Sequence, residues 1–155
     1  MTDQQRYMGA ALEEARAALA QEEVPVGAVV VCDGQIVGRG RNCREGKKDP
    51  TCHAEIMAIR DAAAHLGGWR LHRCQMYVTL EPCPMCAGAI VQARVGKLVI
   101  GAMDPKAGAC GSLMNLLQDK RLNHQVEIEA GILEEECRSV LQEFFTALRE
   151  KRKKT

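Results

Sequence analysis

Apolar and polar positions alternate in the first third of the chain in a way that predicts one helix and two strands. Apolar residues recur at helical spacing through Met8, Ala11, Leu12, Ala15, Ala18 and Leu19. This spacing predicts an amphipathic helix. Val26 to Cys32 is rich in β-branched residues, Asp33-Gly34 is a typical hairpin turn, and Gln35 to Arg41 can return as an antiparallel strand. The chain therefore begins with a helix followed by a β-hairpin.

A second helix is predicted after a polar loop that starts at Asn42. The segment Asp49-Pro50-Thr51 has the residue types that favour a helix start. The apolar positions Ile56, Ile59, Ala63 and Leu66 predict the buried face of this helix. Gly67-Gly68 predicts its end.

The second half of the chain repeats this alternation of strand and helix. The predicted elements are a strand at Met76 to Leu80, a helix from about Pro84 to Ala93, a strand at Lys97 to Gly101, a short helix around Leu113 to Leu117 and a strand at Val126 to Glu129. A closing helix has its apolar stripe at Leu133, Cys137, Val140, Leu141, Phe144 and Leu148. Strands separated by helices imply a largely parallel sheet covered on both faces, which is a three-layer α/β domain. Since this architecture serves many chemistries, function has to be argued from the site.

Length and composition exclude several classes of protein. A chain of 155 residues predicts one domain spanning residues 1–155. The 46% hydrophobic and 26% charged residues argue against disorder, and the longest apolar stretch, Val24 to Cys32, is too short to cross a membrane. The polar residues Met1 to Gly9 lack a secretory signal, which predicts a cytoplasmic protein. In that compartment the eight cysteines are expected to be metal ligands, buried residues or catalytic thiols rather than disulfides.

The formal net charge of +1 hides an uneven distribution of charge. Residues 146–155 hold five of the 21 basic residues and one of the 20 acidic residues. This basic segment can contact phosphates. It is equally consistent with a solvated helix end whose charge suits the helix dipole.

Two short segments contain residues typical of a metal site. These are His53-Ala54-Glu55 at the start of one predicted helix and Pro82-Cys83-Pro84-Met85-Cys86 at the start of the next. Helix N-termini favour thiolates, the form of cysteine that binds zinc. One histidine and two cysteines leave the fourth tetrahedral position open for water, as in catalytic zinc sites. The sequence therefore predicts a catalytic zinc ion held by His53, Cys83 and Cys86.

Glu55 lies close to the predicted ligands and is expected to act as a base. Zinc with two thiolates and a neutral imidazole has no formal net charge, so it acidifies a water ligand less than a site of three histidines does. A nearby carboxylate can take the water proton and return it to the substrate. An HxE segment or a single CxxC pair alone would be weak evidence, but together they form the signature of the zinc-dependent nucleobase deaminases.

At these residues, and over most of its length, the sequence resembles the bacterial tRNA-specific adenosine deaminases. The resemblance extends beyond the zinc motifs to several runs: Val24 to Ala28, Asp49 to Thr51, Tyr77 to Glu81, Ala87 to Ile90, Gly101 to Lys106 and Gly111 to Leu113. Deaminases of free bases share the zinc motifs. The Gly101 to Leu113 segment and the basic final helix are similar to the tRNA-specific branch.

The resemblance implies both a fold and an activity. The fold is a three-layer α/β/α arrangement of the cytidine-deaminase-like type, with a central five-stranded mixed sheet. The activity is the conversion of the wobble adenosine to inosine in the tRNA anticodon stem-loop, by a homodimer with one zinc ion per subunit. The resemblance also implies that Asn42 contacts the inserted base, and that Asp104 and Lys106 contact nucleotides near it.

Two other functions remain open at this stage. A deaminase of a free nucleobase such as guanine or cytosine would use the same zinc ligands with a different pocket and loops. An RNA-binding module with a purely structural zinc is less consistent with Glu55 and an open fourth ligand position. Its aromatic residues are Tyr7, Trp69, Tyr77, Phe144 and Phe145, which make a generic stacking surface unexpected.

Overall fold

The computed structural model describes residues 1–154, which form five helices, five strands and one short 3₁₀ turn. The helices are α1 (Asp3–Ala20), α2 (Arg44–Lys47), α3 (Ala54–Leu66), α4 (Pro84–Gln92) and α5 (Glu134–Lys153). The strands are β1 (Gly27–Cys32), β2 (Gln35–Arg41), β3 (Cys74–Leu80), β4 (Lys97–Ala102) and β5 (Glu127–Ala130). The 3₁₀ turn covers Leu116–Gln118, where a short helix from Leu113 was predicted.

The strands form one mixed sheet in the order β2-β1-β3-β4-β5. Strand β1 runs antiparallel to both of its neighbours, while β3, β4 and β5 run parallel to one another. This confirms the five-stranded mixed sheet. The alternation of strands and helices predicts largely parallel pairing, which the structure shows for β3, β4 and β5 but not for β1 and its neighbours. The hairpin at Asp33-Gly34 makes β1 and β2 antiparallel, because a turn of this length joins antiparallel strands. It also places β1 between β2 and β3, where β1 is antiparallel to both.

Helices cover both faces of the sheet, which confirms the three-layer architecture. On one face, Val29, Tyr77 and Val99 pack in a core that includes α1 and the first half of α5. On the other face, Val30, Val78 and Ile100 pack in a larger core that includes α3 and α4. In each strand, the residues of the two cores are adjacent in sequence. Successive side chains of a strand point to opposite faces of the sheet, so adjacent residues enter different cores.

The start of α3 differs from the prediction. The helix begins at Ala54 rather than within Asp49-Pro50-Thr51. The Asp49 carboxylate instead accepts hydrogen bonds from the Thr51 backbone N–H at 2.9 Å and from the Thr51 hydroxyl at 2.7 Å. These local bonds hold the three residues in a turn, which is the usual competitor of a helix start at Asp and Thr. As a result, His53 becomes the N-cap residue of α3.

The buried face of α3 also differs from the prediction. Its buried residues are Ala54, Glu55, Ala58 and Ala62, whereas Ile56, Ile59 and Ala63 are partly buried and Leu66 is exposed. The cause lies in β2, where a Cβ at Gly40 would overlap the Ala54 carbonyl oxygen and the Ala58 nitrogen. The helix packs so close to this strand that alanine, rather than isoleucine, fits between them.

The last helix leaves the body of the protein as it proceeds. Cys137 and Val140 are buried, while Leu133, Leu141, Phe144 and Leu148 of the predicted apolar stripe are partly exposed. Its last turn contains Lys151, Arg152 and Lys153. Thr155, the last residue of the predicted basic segment, lies outside the described residues. Within residues 1–154, every helix is too short or too polar to cross a membrane.

Candidate active site

The predicted metal ligands meet where two helices begin. His53 is the N-cap residue of α3, and Cys83 is the N-cap residue of α4. Pro84 occupies the first turn of α4, where its fixed φ suits a helix start, and Cys86 follows two residues later. Strand β3 leads directly into the Cys83 segment, and α3 and α4 pack on the same face of the sheet. The fold thus places three residues from two distant segments in one cluster.

The separations within this cluster fit a tetrahedral zinc ion. The His53 Nδ1 atom lies 3.7 Å from the Cys83 sulfur and 3.5 Å from the Cys86 sulfur. Zn–S bonds of about 2.3 Å and a Zn–N bond of about 2.0 Å at the tetrahedral angle require an S···N separation of about 3.5 Å. The three ligand atoms lie within 4.8 Å of one another. The donor set and its geometry therefore fit zinc, with Nδ1 as the ligating nitrogen of His53.

The surroundings of Cys83 favour its thiolate. The Cys86 thiol donates a hydrogen bond to Cys83, and the backbone N–H groups of Cys86 and Met85 do so as well. Partial burial raises the pKa of the Cys83 thiol, but these contacts outweigh it and lower the pKa to about 5. The same hydrogen bond, together with burial, raises the pKa of Cys86. Cys83 is thus prepared to bind a cation, while Cys86 would release its proton when a metal binds.

Glu55 lies in the first turn of α3 and has the properties of a proton carrier. Its side chain is 3% exposed. Burial raises the pKa of its carboxyl to about 7, and the negative charge of Cys83 acts in the same direction. The Cys86 side chain acts in the opposite direction on this pKa. A carboxyl that gains and loses a proton near neutral pH, beside the ligand cluster, can serve as a general acid and base.

Asn42 lies on a segment joined to the His53 ligand. The Cys43 backbone N–H donates to the carbonyl of Cys52, the residue before His53, at 2.9 Å. Asn42 is 5% exposed, and its side-chain N–H donates to the Val24 carbonyl at 3.2 Å. Its Oδ1 atom has no hydrogen-bond partner. Every other buried side-chain nitrogen or oxygen atom in residues 1–154 has one. A buried acceptor left in this condition is costly unless another group, such as a ligand, completes it.

Asp104 and Lys106 lie on the segment that follows β4, which is joined to the cysteine ligands. The Asp104 backbone N–H donates to the Glu81 carboxylate at 2.8 Å, and the Ala109 N–H donates to the Pro82 carbonyl at 2.9 Å. Asp104 also shapes its own turn, because its carboxylate accepts a hydrogen bond from the Lys106 N–H at 3.0 Å. The Lys106 side chain is exposed. Both predicted substrate residues thus lie on a segment fastened beside Cys83.

Two buried carboxylates of this region are absent from the sequence prediction. Glu23 accepts hydrogen bonds from the backbone N–H groups of Glu45 at 3.1 Å and Gly46 at 2.7 Å, which holds the segment after Asn42. Glu81 holds the segment of Asp104. The sequence signal for Glu81 is its place at the end of an apolar run, directly before Pro82-Cys83. The partners of both carboxylates are groups of distant residues, mostly main-chain N–H groups, which no sequence pattern reveals.

The fold and the site together define the class of this protein as a deaminase with a three-layer α/β/α fold. The family model of MafB19-like deaminases matches residues 2–149. The tRNA-specific adenosine deaminase of Bacillus subtilis strain 168 is 52% identical over 153 residues, which cover 99% of this chain and 95% of that protein. The chain belongs to the tRNA-specific adenosine deaminases.

Solved structures agree with this assignment. A structure from a study of A-to-I editing by tRNA:A34 deaminases at the wobble position of transfer RNA has a TM-score of 0.85 and 43% identity. The match covers 88% of this chain and 99% of that chain. The guanine deaminase from Nitrosomonas europaea has a TM-score of 0.78 and 25% identity, with 90% of this chain and 83% of that chain covered. The fold is thus shared with a free-base deaminase, while the tRNA-specific relatives are more similar in sequence.

Proposed function

We propose that the protein is a zinc-dependent enzyme that hydrolyses the wobble adenosine of a tRNA anticodon loop to inosine. The observation that carries this proposal is the cluster of His53, Cys83 and Cys86 at tetrahedral separations, with the buried carboxyl of Glu55 beside it. The family assignment supports the choice of substrate, because the Bacillus subtilis relative is named for adenosine deamination in tRNA. The domain that carries the activity would span the whole chain, residues 1–155.

The proposed reaction replaces the amino group on C6 of adenine with the oxygen of a water molecule. One water is consumed, the C6–N bond breaks, and ammonia leaves. Zinc bound by His53, Cys83 and Cys86 would supply Lewis acidity, which lowers the pKa of a water ligand.

Glu55 would move the protons that this exchange requires. Its carboxylate would take a proton from the attacking water and deliver it to the adenine ring. It would then pass the second water proton to the departing amine, so that the same oxygen atoms act first as base and then as acid. Burial assists this exchange, because it brings the pKa of the carboxyl to about 7. The carboxyl then returns to its starting state after each turnover.

Asn42 would bind the inserted base through its unpartnered Oδ1 atom. Asn42→Ala is expected to lower kcat/KM for the RNA substrate by about 10- to 100-fold, since a lost hydrogen bond to a buried group costs about 1–3 kcal/mol. Steady-state kinetics with a synthetic anticodon stem-loop would measure this. Zinc content should stay at one ion per chain. Unchanged kinetics would remove Asn42 from the binding site.

The anticodon loop suits a site of this kind because its bases are unpaired. An unstacked base is cheaper to turn out into a closed pocket than a base within a duplex. We propose that Asp104 and Lys106 contact nucleotides beside the inserted base, and that the basic residues in the last turn of α5 contact phosphates. Of these, Lys151 also forms a surface ion pair with Glu22 at 2.8 Å, a contact that phosphate can replace at little cost.

Deamination of a free base is the second candidate, and the fold shared with guanine deaminase favours testing it. The test supplies the zinc-loaded protein with either an anticodon stem-loop or free guanine, cytosine and adenine at matched concentration. Release of ammonia with the RNA alone supports the proposed function. Release with a free base alone would reject it.

We further propose that the enzyme works as a homodimer in the cytoplasm, where its tRNA substrate is found. The segment after Gly111 leaves Leu113 and Met114 with 59% and 45% of their surfaces exposed, which a second copy of the chain would cover. Light scattering is expected to give twice the mass of one chain, and the mass of a single chain would contradict the dimer. Fractionation of cells tests the compartment.

A further inference from the structure

Glu81 forms an unusual set of hydrogen bonds for a buried carboxylate. It directly follows β3, lies two residues before Cys83, and is 3% exposed. Its Oε1 atom accepts hydrogen bonds from the Asp104 backbone N–H at 2.8 Å and from the Ser112 hydroxyl. Its Oε2 atom accepts from the backbone N–H groups of Cys110 and Ser112, both at 3.0 Å. Four donors from one segment thus surround a single side chain.

These donors lie at both ends of the segment formed by residues 103–112, named the 103–112 loop. Asp104 is at its start, and Cys110 and Ser112 are at its end. Between them, a Cβ at Gly108 would overlap the Glu81 carboxylate, so the loop backbone passes directly over this group. The loop is therefore wrapped around Glu81, and its shape depends on that carboxylate.

The charged form of Glu81 is the form that fits this arrangement. Both oxygen atoms face N–H donors. A glutamine amide offers one oxygen and one NH₂ group, so in either orientation its NH₂ would face a backbone N–H.

The loop brings the proposed RNA contacts to the metal ligands. Asp104 is the first anchored residue of the 103–112 loop, and Lys106 lies between it and the second anchored end. Glu81 is joined through Pro82 to Cys83. We propose that Glu81 is a positioning residue, which fixes the 103–112 loop against the cysteine ligands and so sets where Asp104 and Lys106 meet the RNA. This inference rests on the proposed function, because it assigns those two residues to substrate binding.

The test compares three variants of the zinc-loaded protein. Glu81→Gln removes one acceptor, Gly108→Ala pushes a methyl group into the carboxylate, and Ser112→Ala is the mild control that removes one donor of four. For the first two, KM for an anticodon stem-loop is expected to rise about 10-fold or more, with a smaller change in kcat. Ser112→Ala should change KM less than about 3-fold. Zinc content is expected to remain at one ion per chain in all three.

A second readout follows the loop without using activity. Trypsin cleaves after Lys106, and the fragment that ends at this residue is measured by mass spectrometry. Its rate of formation is expected to rise at least about 10-fold in Glu81→Gln and Gly108→Ala, because the loop opens more often once an anchor is lost. If Glu81→Gln does not fold, Gly108→Ala provides both readouts from the opposite side of the contact.

The outcomes separate this inference from the proposed function. Wild-type KM and a wild-type cleavage rate in Glu81→Gln and Gly108→Ala would overturn it. Loss of zinc in proportion to activity would also overturn it, because Glu81 would then support the metal cluster rather than the loop. A wild-type protein that leaves wobble adenosine unchanged rejects the proposed function instead, whatever the cleavage rates.

Discussion

Replacement of Glu55 by glutamine is expected to slow deamination by at least about 100-fold while leaving zinc bound. Glutamine keeps the size of the side chain but cannot take a proton from water, so kcat should fall by about 10²- to 10⁴-fold, the contribution of a general acid and base. Zinc content should remain at one ion per chain, because the ligand cluster consists of His53, Cys83 and Cys86. Inosine formation under saturating RNA, together with metal analysis, measures both quantities.

A matched control is available for this variant. Glu134 is also a glutamate in the first turn of a helix, but it lies in α5 and forms an exposed ion pair with Arg138 at 2.9 Å. Glu134→Gln should keep wild-type activity. Near-normal activity in Glu55→Gln would reject the proton-transfer role, and loss of zinc in that variant would make Glu55 part of the metal site.

Removal of a ligand has the second large expected effect. Cys86→Ala should lose zinc during dialysis that the wild-type protein withstands, because two ligands would remain of the three proposed to hold it. The loss in zinc affinity should exceed the roughly 10- to 100-fold loss that follows removal of a residue hydrogen-bonded to a metal ligand. Activity should fall with the metal content. The melting temperature should fall as well, because bound zinc stabilises the folded state alone.

Cys110 provides the control for this experiment. Burial is the main cause that raises the pKa of its thiol to about 12, and the nearby charges of Glu81, Glu55 and Cys83 act in the same direction. It therefore lies near the cluster without belonging to it. Cys110→Ala should keep its zinc. Full zinc retention in Cys86→Ala would remove Cys86 from the proposed ligand set.

The order of helices and strands could be predicted because it depends on local patterns. The β-branched residues of β1 and the apolar spacing of nearly four in α1 are properties of each segment's own sequence. The orientation of α3 could not be predicted in this way. The alanine face of this helix is buried because Gly40 of β2 lies so close to it. The isoleucines of the helix predict a different buried face. Close packing between distant segments thus overrides hydrophobic pattern.

The candidate site divides along the same line. His53, Glu55, Cys83 and Cys86 could be predicted because helix-start chemistry and the spacing of cysteines are local signals. The structure brings the ligands together at separations that fit zinc. Glu23 and Glu81 could not be predicted, since their partners, mostly backbone N–H groups, lie more than 20 residues away in the chain. These long-range contacts hold the loops that we propose to meet the substrate.

The most direct test of the proposed function maps inosine in a full-length tRNA. The zinc-loaded protein would be incubated with a tRNA that has adenosine at the wobble position, and digestion with mass spectrometry would locate each inosine. A tRNA with guanosine at that position, and adenosines elsewhere in the anticodon loop, serves as the matched substrate. We expect inosine at the wobble position of the first tRNA and none in the second. Unchanged tRNA from fully zinc-loaded protein, with conversion of free guanine, would contradict the assignment.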